Sequence, residues 1–112
     1  MSPDFTSLPY VQAQYKIVTT YFAANATTQQ CLRPNQNRVA LHFCDSVGNI
    51  NIGLDSTVTA NANVFYTLSS TFLERIMTFS NYGPLVGNAF WCVRLSGAST
   101  LTLVEIIYVP TS

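Results

Sequence analysis

The sequence predicts an all-β chain: an antiparallel β-sandwich of about eight strands, jelly-roll-like, with an extended N-terminal arm. Three observations carry this reading. Short apolar runs alternate with Gly, Asn, Ser and Pro breaks at fairly even spacing, the pattern of strands joined by turns. Within the runs, β-branched and aromatic residues dominate. No stretch sustains the period of an amphipathic helix. Eight strands is the number of a jelly roll.

Taken in order, residues 1–9 read as the arm. Pro3 and Pro9 bracket it, and each proline removes a donor and holds the residue before it extended. Residues 10–112 read as one domain. Tyr10 to Phe22 carries Tyr15, Ile17, Val18, Tyr21 and Phe22, which predicts a long strand, bent or broken near Gln14. Asn25-Ala26 turns the chain, Thr28–Leu32 is a second strand, and Pro34-Asn35-Gln36-Asn37 is a polar turn. Arg38–Cys44 places Val39, Leu41 and Phe43 on one face at period two, and that face is expected in the core.

Ile50, Ile52 and Leu54 align in a short strand, Asp55–Asn63 is a polar loop, and Val64–Leu68 is a further strand. Thr71-Phe72-Leu73-Glu74 has capping-box spacing and allows one helical turn, but Arg75–Phe79 alternates, so a strand is favoured there. Ser80–Asn88, with two glycines and a proline, is a long loop, and Ala89–Leu95 aligns Trp91, Val93 and Leu95. Leu101–Val109 is apolar on both faces, as in a strand covered on both sides; in an antiparallel domain the second cover can be another subunit.

Composition narrows function. Charged residues are 9% of the 112 and hydrophobic residues 48%, with a formal net charge of zero, against about 25% charged in an average domain. No field steers a charged substrate. Lys16, Arg33, Arg38, Arg75 and Arg94 are scattered, which argues against nucleic acid. The opening residues lack a secretory pattern and no apolar run reaches the length of a membrane helix, so no membrane partner and a cytoplasmic origin are expected. Cys31, Cys44 and Cys92 have neither metal-ligand spacing nor an even count, and read as buried free thiols.

Few residues offer chemistry, and no catalytic residue, cofactor or metal is expected. His42 is the only histidine, so a nucleophilic triad would need it. It falls on the strand face opposite Leu41 and Phe43. No glycine-rich phosphate loop, metalloprotease or nucleophile-elbow motif occurs. Asp45, Asp55, Glu74 and Glu105 offer a glycosidase pair only if the fold brings two together. Asp45 with Asn49 and Asn51, or Asp55 with Asn61, offers oxygens for calcium, although such residues in β turns usually bond their own backbone. Replacing His42, Asp45 or Asp55 by Ala is therefore expected to alter stability modestly. The aromatics, among them Tyr10, Tyr15, Tyr21, Tyr82, Trp91 and Tyr108, fit core or subunit contacts, or a stacking platform for sugars.

Several phrases are familiar: Leu32-Arg33-Pro34-Asn35-Gln36-Asn37-Arg38-Val39-Ala40-Leu41, Asn49-Ile50-Asn51-Ile52-Gly53-Leu54, Tyr82-Gly83-Pro84-Leu85-Val86-Gly87-Asn88-Ala89-Phe90-Trp91 and Leu103-Val104-Glu105-Ile106. Together they resemble small β-sandwich virion proteins of tailed bacteriophages, such as capsid cement or decoration proteins and head-fibre bases. The resemblance spans about three-quarters of the chain. It implies a non-enzymatic homo-oligomer, dimer or trimer, in the virion, with the major capsid protein as partner. A carbohydrate- or receptor-binding domain of a fibre or tail is the alternative. Phe5, Leu8, Tyr10, Tyr82 and Tyr108 are the candidate protein-interaction residues, with Phe5 and Leu8 anchoring the arm.

Overall fold

Eight strands pair into two four-stranded antiparallel sheets in a computed structural model that describes residues 14–97 and 99–110. They are β1 (Gln14–Ala23), β2 (Gln29–Leu32), β3 (Arg38–Asp45), β4 (Asn49–Gly53), β5 (Tyr66–Ser69), β6 (Glu74–Thr78), β7 (Phe90–Arg94) and β8 (Thr100–Val109). The sheet orders are β1-β8-β3-β6 and β2-β7-β4-β5. The chain crosses between sheets at almost every turn, and this interleaved eight-strand order is that of a jelly roll. The arm and the first residues of the predicted opening strand lie outside the described residues.

The core forms where the inward faces of the two sheets meet. Leu41, Phe43, Met77, Leu101 and Leu103 from the first sheet pack against Ile50, Ile52, Leu68, Phe90 and Cys92 from the second, all buried. Phe43 and Phe90 meet edge to face with ring centroids 5.2 Å apart, a favoured aromatic geometry. The period-two reading of β3 holds at Leu41 and Phe43 but not at Val39, which is half-buried. The pairing of β3 with β8 shifts register between Arg38 and Ala40. A bulge of this kind turns the side chains beyond it, and Arg38 is buried instead.

Between β6 and β7 the expected loop contains one turn of α-helix, α1 (Phe79–Tyr82), followed by a 3-10 turn, Gly83–Gly87. Thr78 caps α1, its Oγ1 accepting from the Asn81 amide at 3.3 Å. The Thr71–Glu74 box starts no helix, because Glu74 opens β6 and pairs with Cys44.

The two sheets differ on their outer sides. The loop between β4 and β5 folds back over the second sheet: Asn51 Nδ2 donates to the carbonyls of Thr59 and Ala60 at 3.1 and 3.2 Å. Val58 is fully buried there. Gly53 makes this possible, since a Cβ on it would lie 2.3 Å from that of Val58. No described segment covers the first sheet in the same way.

Candidate functional site

The most distinctive surface is the bare outer face of the β1-β8-β3-β6 sheet. Side chains alternate across a strand, so β8 points Leu101, Leu103 and Ile107 inward and leaves Thr102, Val104, Ile106 and Tyr108 half-exposed outside. Register aligns the outer residues in rows. One runs Ile17, Ile106, Ala40, Thr78, and the next Thr19, Val104, His42, Ile76. Tyr15, Ile17 and Tyr21 on β1 and Ile76 on β6 are exposed. Among the described residues, the two-sided apolar run of β8 thus has a cover on one side only.

The relief of this face is uneven. A depression of about 270 Å³ is lined by Ala40, Leu41, His42, Ile76, Val104 and Ile106. Along the adjacent edge, Tyr15, Ile17 and Tyr21 form a ridge on β1, with Tyr15 edge to face against Tyr108 at 5.8 Å. His42 Nε2 lies 3.6 Å from Glu74 Oε2 and has no hydrogen-bond partner among the described residues. That distance is too long for a hydrogen bond.

A second exposed apolar surface lies at one end of the sandwich. The β3–β4 turn sits between two others: the Asp45 amide donates to Leu73 O at 2.9 Å, and the Leu95 amide to Asn49 O at 2.7 Å. Val47, Phe72, Leu73 and Leu95, all exposed, therefore share these neighbouring turns.

The sequence-derived candidates are dispersed. Tyr108 belongs to the sheet face. Tyr82 is half-buried against the core, its ring 6.2 Å from that of Phe65, and its hydroxyl accepts from Arg75. Phe5, Leu8 and Tyr10 lie outside the described residues.

The carboxylates serve the fold. Asp45 is buried and accepts from the amides of Gly48 and Asn49 at 2.7 and 2.8 Å, and from the Ser99 hydroxyl. Against the modest effect expected on its replacement, its removal would strand the buried Ser99 hydroxyl and two half-buried amides. Asp55 accepts from the Thr57 hydroxyl and, at 2.9 Å, its amide. The hydroxyl bond first, then the amide bond, hold its carboxyl below the usual range. Glu105 pairs with Arg38. Asn51 Oδ1 accepts from Thr67 Oγ1 at 2.7 Å. Among the described residues, no three His, Cys, Asp or Glu side chains converge as metal ligands.

Cys31 and Cys92 are buried and Cys44 is half-exposed on the outer sheet face. The Cys92 thiol beside it, and then burial, push the Cys31 thiol well above its usual range, and its Sγ donates to the Phe90 carbonyl at 3.4 Å. The adjacency of Cys31 and Cys92 was hidden in the sequence, since they lie 61 positions apart and only the β2–β7 pairing brings them together. No described helix is long and apolar enough to cross a membrane.

No family model matches the sequence, and no curated protein matches it. Among solved structures, the fold is similar to a chain from Bacillus endospore appendages, described as disulfide-linked pili. The TM-score is 0.51 at 11% identity over 89% of each chain. A dTDP-4-dehydrorhamnose 3,5-epimerase from Bacillus anthracis aligns with a TM-score of 0.45 at 15% identity, over 89% of this chain and 57% of the epimerase. At such identities the likeness to the appendage chain is one of fold.

Proposed function

We propose that this protein is a structural virion protein, a capsid cement or decoration protein that binds the major capsid lattice at capsomer junctions as a homo-oligomer and stabilises the head. The observation that carries this is the presence of two separate exposed apolar surfaces on one small domain: the outer face of the β1-β8-β3-β6 sheet and the loop end with Val47, Phe72, Leu73 and Leu95. Exposed apolar patches of this kind mark interaction surfaces. A protein that ties an assembly together needs at least two of them, facing different neighbours. The low share of charged residues, 9% of the chain, lowers the desolvation cost of such contacts, and the buried Asp45 and Glu105 hold turns and strands.

A carbohydrate- or receptor-binding role in a fibre or tail is the second reading, favoured by the exposed Tyr15 and Tyr21 beside Tyr108 on the open face. The deciding experiment mixes the purified full chain with capsids lacking it and measures co-sedimentation and the capsid melting temperature, with a glycan array in parallel. Saturable capsid binding with a raised melting temperature is expected. Selective glycan binding without capsid binding would transfer the protein to the fibre reading.

A further inference from the structure

We infer that the outer face of the β1-β8-β3-β6 sheet is covered by a second copy of this chain, in an isologous dimer whose two-fold axis runs parallel to the strands between two facing sheets. This deepens the assembly role proposed above by naming the partner of one of its two surfaces.

The argument starts from area. Tyr15 is 60% exposed, Ile17 70%, Tyr21 74% and Ile76 58%. These four present on the order of 600 Å², and with the half-exposed residues of β3 and β8 between them the face reaches about 800 Å², the share each partner gives to a stable dimer. The largest apolar patch of an ordinary monomer is about 300–600 Å².

Shape selects the partner. The ridge lies on β1, at one edge of the sheet, and the depression over β3 and its neighbours, towards the other. A two-fold axis parallel to the strands reverses the strand order of the facing copy and lays its β1 over β3 and β6. Ile17 and its tyrosine neighbours then enter the depression lined by Ala40, His42, Ile76 and Val104, and the same contact forms a second time by symmetry. Sheets stack face to face about 10 Å apart with side chains interdigitating, and ridge against hollow suits that spacing. Charge does not oppose the contact: among the described residues, the acid on this face is Glu74, at its edge beside His42.

The test measures the mass of the full chain by sedimentation from 1 to 100 µM, for the wild type and for Ile17→Glu and Ile76→Glu separately. Both positions are exposed, so circular dichroism and the melting temperature at 1 µM should match the wild type. A wild-type dimer at 100 µM is expected, with at least tenfold weaker association in each variant. Cys44 provides an independent readout from the same face. Its alkylation should be at least fivefold slower at 100 µM than at 1 µM in the wild type, and independent of concentration in both variants. A wild-type monomer at 100 µM overturns the inference, as does a dimer that both substitutions leave intact, which would place the contact on the β1 edge or elsewhere. Capsid binding of the same samples keeps the two readings apart. Capsid binding without a dimer through this face defeats only the inference, whereas a dimer sensitive to both substitutions but inert towards capsids defeats only the cement role.

Discussion

The Arg38 guanidinium donates from Nε to a Glu105 carboxylate oxygen at 2.9 Å, joining β3 to β8 inside the sandwich, with both side chains buried. The remaining guanidinium nitrogens reach the carbonyls of Val86 and Asn88 at 3.2 and 2.9 Å and of Arg33 at 2.8 Å. One side chain therefore fixes two strands, the turn before β7 and the loop before β3.

Removing one member of this pair leaves an uncompensated buried charge or a set of unfilled carbonyls, a loss of about 3–5 kcal/mol. Arg38→Met should therefore lower the thermal midpoint by more than about 10 °C, taking roughly 4 °C per kcal/mol for a domain of this size. Arg38→Met with Glu105→Leu should recover part of that loss, because no ion is then left unpaired. A double-mutant cycle by thermal denaturation checks it. Additive losses would show that the two side chains act independently.

The strands were legible where side-chain period and turn chemistry agree, and this covers nearly every element, from the Leu41 and Phe43 face of β3 to the polar turn at Pro34–Asn37. Arg38 was not legible. An arginine opening a strand looks like a solvated end, and only the bulge before Ala40 turns it inward. The strand order was hidden for the same reason: periodicity reports which face is apolar, not which strand lies alongside. The sheet face was half legible, since the two-sided apolar run of Leu101–Val109 announces a second cover without saying what it is. The apolar loop end was not legible, because Val47, Phe72 and Leu95 are far apart in sequence and reach the same end of the sandwich only when three turns come together.

Gly48 should not tolerate a side chain. Its φ is +81°, a conformation strained for any residue with a Cβ, and that Cβ would lie 2.3 Å from the Ser69 carbonyl carbon. Gly48→Ala should cost about 2 kcal/mol or more, from backbone strain plus displacement of the neighbouring turn. Chemical denaturation measures it. A midpoint within error of the wild type would mean the turn relaxes freely.

Cys31 should make stability fall at alkaline pH. Its folded pKa is raised above the ordinary thiol value of 9.0, so its stabilisation is complete below that pH. Above it, the unfolded chain releases a proton that the folded chain keeps. The sign is a loss of about 1.4 kcal/mol per pH unit above pH 9. Urea midpoints between pH 8 and 10.5 should drop more steeply in the wild type than in Cys31→Ala. Parallel slopes would count against the buried neutral thiol. Under native conditions Cys44 should be alkylated well before Cys31 and Cys92, whose burial restricts access.

The apolar loop end should carry the capsid contact. Phe72 is exposed, and its place in the turn depends on backbone bonds with Ser69, the two residues exchanging N–H···O contacts at 3.0 Å. Phe72→Ser should leave the turn and the melting temperature of the isolated protein nearly unchanged. Aromatic anchors commonly dominate an interface, so capsid affinity should fall at least tenfold, about 1.4 kcal/mol, and Val47→Asp should act in the same direction. Neither substitution touches the β1-β8-β3-β6 face, so self-association should be unaffected. Titrating fluorescently labelled protein onto capsids gives the affinity and sedimentation the mass. Unaltered capsid affinity in both variants would move the contact away from this end of the sandwich.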